Sequence, residues 1–209
     1  RKMKIIKGKN GGFCFGVKRA VSEAEKLNGE NNYILGEIIH NEEVNERLKN
    51  AGIKTINDLS DVNFNKGDTL LIRTHGEGKS VINKANDLGL NVIDCTCPFV
   101  KDIHKIVEEY FAKGYQIVII GNENHPEVKG INGWCENKAV IMYEEEAKTV
   151  FEKGISPDDC VIVVAQTTIN KEKFYNYIKF LKNTCKNIEV FDTICSATSV
   201  RQEEAKKLA

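Results

Sequence analysis

Neither sign of charge is in surplus in this chain. Thirty Lys and Arg stand against thirty Asp and Glu, for a formal net charge of zero. That speaks against a strongly basic nucleic-acid surface and against an acidic tail. No apolar run approaches the roughly 20 residues that cross a bilayer. The opening RKMKIIKGKN is basic but lacks the apolar stretch of about 7–15 residues that a secretory signal needs. The reading is a cytoplasmic protein with no nucleic-acid and no membrane partner. A C-x-x-C pair is also missing, although there are seven cysteines, so neither a zinc ribbon nor a thioredoxin-type site is indicated. An odd number of cysteines without a secretion signal argues against a disulfide framework. Cysteines that share a task must then meet in space from distant parts of the chain.

What is present is a regular alternation of apolar runs and amphipathic stretches. NYILG (32–36), TLLIR (69–73), NVID (91–94), IVIIG (117–121), AVIMY (139–143), VIVVA (161–165) and IEVFD (188–192) read as strands buried on both faces of a parallel sheet. Residues 16–28, 79–88, 99–113 and 170–183 carry helical periodicity. The fold class is α/β, parallel sheets covered by helices.

The chain also resembles itself. VIDCTCPFVKDIHKIVEE from Val92 and VFDTICSATSVRQEEAKK from Val190 share a strand, an Asp, two residues, a Cys and a helix. GEIIHNEEV from Gly36 and GNENHPEV from Gly121 each place a His four residues after a strand-ending Gly. His40 follows Cys14 by 26 residues and His125 follows Cys97 by 28, and the next cysteine in each order is Cys97 or Cys195. Shared order points to duplication. The units expected are 12–97 and 98–193, with 194–209 opening a third and 1–11 packing against it.

Cys14, Cys97 and Cys195 thus occupy equivalent junctions, each opening a helix where ligands gather in open α/β sheets. Alone, Cys14 in NGGFCFGVKRAV reads equally as a small core residue or as a thiolate favoured by a helix N-terminus. Three such cysteines with no fourth suit a four-iron, four-sulfur cluster with one open iron better than a closed structural zinc. Cys95, Cys135, Cys160 and Cys185 lack the repeated context and read as structural or incidental. His40, His75 and His125 follow strands on the ligand edge and form a candidate phosphate wall, whereas His104 sits within a helix and reads as structural. Glu127, in HPEV, reads either as a proton donor or as a first-turn helix carboxylate. Thr167 and Thr168 match the His75 position as candidate substrate contacts, and Gln166 could orient a substrate.

GFCFGVKRAV, DCTCPFVKDIH, GNENHPEV, AQTTI and DTICSATSVRQEEA together resemble the 4-hydroxy-3-methylbut-2-enyl diphosphate reductase family of the non-mevalonate isoprenoid pathway. The resemblance implies a pseudo-threefold trefoil of α/β units around a central 4Fe-4S cluster held by Cys14, Cys97 and Cys195. It implies that His40, His75 and His125 stand near the diphosphate and hydroxyl of the substrate. Glu127 would be the proton donor and Thr167 would lie near the hydroxyl. It further implies an allylic diphosphate substrate, with reduced flavodoxin or ferredoxin as electron donor. The family has a third domain beyond the third cysteine, whereas this chain stops 14 residues after Cys195. Cys95 is a departure from the family pattern. The alternative reading is a non-catalytic α/β module that binds a phosphorylated metabolite, and a cluster-carrying electron-transfer protein is a third.

Overall fold

The computed structural model describes residue 6 and residues 8–39, 41–144 and 146–208. In chain order the elements are α1 (Phe15–Glu25), β1 (Asn32–Leu35), α2 (Glu42–Asn50), β2 (Lys54–Ile56), β3 (Thr69–Ile72), α3 (Lys79–Asp87), β4 (Asn91–Asp94) and α4 (Pro98–Ala112). They continue as β5 (Gln116–Ile120), α5 (Pro126–Asn132), β6 (Val140–Met142), α6 (Thr149–Glu152), β7 (Cys160–Ala165), α7 (Lys171–Thr184), β8 (Asn187–Val190) and α8 (Ser196–Leu208). Short 3-10 turns lie at Leu59–Asp61 and Gly133–Cys135.

The β-branched runs become the central strands because both of their faces are covered. Val161 to Ala165 in β7 and Val118 to Ile120 in β5 are fully inaccessible, as are Leu70 to Ile72 in β3. Each such side chain contributes about 1.5–3 kcal/mol of burial. Two four-stranded sheets result, β2-β1-β3-β4 and β6-β5-β7-β8, and every pairing is parallel. The α/β class expected from periodicity is therefore observed, and the strand order repeats. In each sheet the chain leaves a central strand for one edge and then returns to the other side of that strand. Loops at the carboxyl ends of β1 and β3, and of β5 and β7, thus flank a topological switch point, where α/β sheets bind ligands.

The two sheets are joined by glycines. Gly78, the N-cap of α3, lies against Gly133, where a side-chain carbon would come within 2.5 Å of the Gly78 Cα. Gly130 abuts the Gly76 carbonyl in the same way, at 3.2 Å. Trp134 closes the seam by donating its indole N–H to the Glu77 carbonyl at 3.0 Å. The loop after β3 is in this way pressed onto α5. Among the described residues no helix is long and apolar enough to cross a membrane.

Gly133 has helical backbone at φ −64°, where alanine would ordinarily stabilise by about 0.5–1 kcal/mol. The close approach reverses that sign. Gly133→Ala is expected to destabilise the chain by about 1–3 kcal/mol, read as a lower urea midpoint at unchanged slope.

Candidate active site

Each of the three repeated cysteines stands at a helix entrance. Cys14 is the N-cap of α1, Cys97 is the N-cap of α4, and Cys195 directly precedes α8. All three are half-buried free thiols. A side-chain carbon on Gly16 would lie 3.0 Å from the Cys97 Sγ, so the first turn of α1 rests on that thiol. Burial pushes the Cys97 thiol above its ordinary pKa. The N–H groups of Phe99 and Val100 pull it back down, while charge on Cys14 and Cys195 would push it up again. Cys14 and Cys195 therefore both lie near Cys97. Among the described residues no three His, Cys, Asp or Glu groups converge tightly enough to hold a single metal ion.

Backbone bonds tie these cysteines to the strand-end loops. The Cys97 N–H donates to the Thr74 carbonyl at 2.9 Å, and the Cys195 N–H donates to the Thr167 carbonyl at 2.8 Å. Thr74 and Thr167 are therefore the equivalent positions of the repeat, and Thr168 rather than Thr167 takes the place of His75. Thr167 faces inward instead. Its N–H and Oγ1 both donate to the Glu127 carboxylate, at 2.6 and 2.8 Å. Glu127 is only 3% exposed. Burial raises its pKa above the usual carboxylate value, and the two Thr167 bonds only partly oppose that shift. A carboxyl that holds its proton to higher pH suits a donor.

His125 caps α5, its Nδ1 accepting the Glu127 N–H at 3.2 Å. With Nδ1 assigned as the acceptor, the ring proton belongs on Nε2. The His75 and His125 rings meet edge to face, with centroids 5.3 Å apart. A cavity of about 260 Å³ opens beside His75, lined by Phe13, Val17, Ile39, Asn41 and Thr74. His40 lies outside the described residues, although both of its chain neighbours line this cavity. Gln166, read from sequence as a substrate contact, is instead engaged at both ends. Its Oε1 accepts from the Asn122 N–H at 3.0 Å and its Nε2 donates to Thr168 at 2.8 Å, so it ties the two loops together.

With this geometry in place, three comparisons bear on identity. The model of the LytB protein family matches residues 5–209. The chain belongs to the LytB family. It is 44% identical over 211 residues to the 4-hydroxy-3-methylbut-2-enyl diphosphate reductase of Clostridioides difficile (strain 630), covering 99% of this chain and 74% of that protein. It is 46% identical over 209 residues to the reductase of the same name from Clostridium perfringens (strain SM101 / Type A), covering 98% and 72%. A solved structure of (E)-4-hydroxy-3-methyl-but-2-enyl diphosphate reductase, the terminal enzyme of the non-mevalonate pathway, superposes with a TM-score of 0.81. The identity is 40%, over 98% of this chain and 72% of that one. The Plasmodium falciparum E-1-hydroxy-2-methyl-but-2-enyl-4-diphosphate reductase gives 0.82 at 31% identity, over 94% and 62%.

In this LytB chain three of the four remaining cysteines are buried. Cys95 lies in the core among Ala20, Ile34 and Leu71, and burial pushes its thiol up to about 11. Cys135 is similarly raised to about 11 and its Sγ–H donates to the Asn132 carbonyl. Cys185 is buried, whereas Cys160 is exposed at the start of β7. One residue that shapes the site, Arg73, carries no signal in the sequence. Arg73, at the end of β3, pairs with Glu77 at 3.0 Å and lies over Gly36, where a side-chain carbon would come within 2.1 Å of Nη1. Gly36 sits at φ +71°, a region glycine enters freely.

His104 has the structural part that its helical spacing predicted, and a strong one. It is 4% exposed, stacks on Trp134 with centroids 5.1 Å apart, and fills the space beneath Gly76. Desolvation lowers its pKa to about 4, from 6.5. The unfolded chain therefore takes up this proton first. Stability is fully present above pH 6.5 and falls as pH drops toward 4, by up to about 3 kcal/mol. In His104→Phe that part of the pH slope should vanish, which urea titrations at pH 7, 5.5 and 4.5 would show.

Proposed function

We propose that this chain carries the reaction centre of a 4-hydroxy-3-methylbut-2-enyl diphosphate reductase. The reaction takes two electrons and two protons, breaks the C4–O bond, releases the oxygen as water and yields isopentenyl and dimethylallyl diphosphates. The observation that carries the reading is the link from Glu127 through a single residue, Thr167, to the backbone of Cys195. It supports a buried acid, its pKa raised by burial, acting beside Cys195. The two sheets are read as units 12–97 and 98–193, with 194–209 opening the third around a pseudo-threefold axis.

The donor set fits an iron–sulfur cluster. Cys14, Cys97 and Cys195 are three thiols on three helix entrances, where N–H groups such as those of Phe99 and Val100 favour the thiolate. A cluster gives each thiolate its own iron, so the ligands need not crowd as they would around one ion. When bound, a 4Fe-4S cluster supplies an open Lewis-acid position and a path for electrons, with reduced flavodoxin or ferredoxin as their source.

The chain's own groups do the rest. Glu127 delivers protons to the leaving oxygen and to the allylic carbon. The Thr167 bonds hold its carboxyl still, which fixes the geometry of proton transfer. His125 presents Nε2–H as a donor because its Nδ1 is occupied, and with His75 and His40 it holds the anionic diphosphate. Thr167 also flanks the substrate hydroxyl.

Glu127→Gln keeps the size and hydrogen-bonding shape of the side chain but removes its acid. The variant is expected to keep wild-type iron and acid-labile sulfide while losing turnover by about 10²–10⁴-fold. Cys14→Ser, Cys97→Ser and Cys195→Ser should each lose or degrade the cluster. Undiminished turnover in Glu127→Gln would remove Glu127 as the acid, and a cluster-bearing chain with no turnover even when Glu127 is present would point to an electron-transfer protein. Iron-free protein that still binds diphosphate would point to a binding module.

A further inference from the structure

The geometry points to Arg19 and Arg201 as positioning residues that set the spacing of the three cysteine-bearing helix entrances. This role rests on the proposed cluster site. Arg19 lies five residues after Cys14 on α1, and its Nη2 donates to the Thr96 carbonyl at 2.6 Å. That carbonyl belongs to the peptide immediately before Cys97. The other side of Thr96 is equally held, since its N–H and Oγ1 both donate to the Asp94 Oδ1, at 2.9 and 2.5 Å. Asp94 is anchored in turn by Lys101 at 2.6 Å. The helix entered at Cys14 therefore grips the loop that presents Cys97, and the Gly16 contact with the Cys97 Sγ sets how closely the two approach.

A second latch has the same form. Arg201 lies six residues after Cys195 on α8, and its Nε donates to the Asn10 carbonyl at 3.1 Å. Glu204, one turn further on, accepts from the N–H groups of Lys9 and Asn10 at 2.6 and 2.8 Å. The helix entered at Cys195 thus grips the segment that presents Cys14. Two sides of the cysteine triangle are each spanned by an arginine that reaches from one entrance helix to a main-chain carbonyl of the next cysteine's loop.

Arg19 is also costly to keep in place. Its Nε is buried with no hydrogen-bond partner, and an unsatisfied buried donor is unfavourable. An apolar residue would avoid that cost but could not hold the Thr96 peptide. Lysine would keep the charge without the planar fork, so exchange for lysine is not conservative here.

The test compares wild-type chain with Arg19→Met, Arg19→Lys and Arg201→Met, all reduced and anaerobic. Thiol spacing in the metal-free chain is read by dibromobimane, which bridges only neighbouring thiols, with peptide mass spectrometry to identify the pair. Cluster retention is read as the rate at which iron passes to a chelator. Expected results are loss of the Cys14–Cys97 bridge in Arg19→Met, partial recovery in Arg19→Lys, and loss of the Cys14–Cys195 bridge in Arg201→Met. Iron retention should weaken by about 10–100-fold, as for other groups that orient metal ligands. Unchanged bridging and iron retention in both methionine variants overturns the inference. Bridging in wild type without iron uptake would refute the cluster while leaving the latches to be judged by bridging alone. If Arg19→Met lost its native circular dichroism, Arg201→Met would decide the matter.

Discussion

The N–H of Cys97 reaches the Thr74 carbonyl, and the N–H of Cys195 reaches the Thr167 carbonyl; the rest of the site hangs from these two bonds. They continue the parallel ladders of β3–β4 and β7–β8 past the point where the strands end. Each cysteine loop is therefore in register with a strand-end loop of its own sheet. That register delivers His75 beside one cysteine and the Glu127 grip beside another. A one-residue slip in either pairing would carry its thiol to the wrong face, and a slip of β8 against β7 would also part Cys195 from the threonine that grips Glu127.

Duplication explains why such an arrangement arises twice. Both sheets run edge, centre, centre, edge in the same chain order, and each has its switch point between the same two strands. The two copies have since diverged at the loop that follows the third strand of each. After Thr74 comes His75, whose ring meets that of His125 edge to face. After Thr167 comes exposed Thr168, engaged by Gln166. One copy kept a group suited to an anion, while the other turned its threonine inward to hold an acid. Symmetry supplied the positions, and asymmetry supplied the chemistry.

How far this could be read from sequence depended on whether a feature is local. The central strands were legible because burial on both faces forces an unbroken β-branched run, as in VIVVA. β2 was not, since Lys54 and Thr55 of its three residues are exposed on an edge. α2 was equally hidden: of EEVNERLKN only Val44 and Leu48 are buried, too few to mark a period. α5 opens with Pro126 and contains Gly130, both of which read as loop. Cys97 and Cys195 are marked by a repeated Asp-x-x-Cys before a helix, and Cys14 by its own helix start and the shared order. The bond between Glu127 and Thr167 spans 40 residues and has no pattern to betray it. The placing of Gln166 failed for a related reason, because its two partners lie on different loops.

The glycines at the seam govern whether the two histidines can act together. Gly78 and Gly133 meet at backbone distance, and Gly76 and Gly130 do so beside them. Ordinary side chains at these positions would hold the β3 loop away from α5. His75 and His125, now 5.3 Å apart between centroids, would then lose their edge-to-face contact. His104 and Trp134 fill the space beneath Gly76 with a rigid, stacked pair, so the loop can neither sink nor swing. A buried neutral imidazole gives that shape without adding charge beside the His75 loop. The seam therefore fixes how the β3 loop sits against α5.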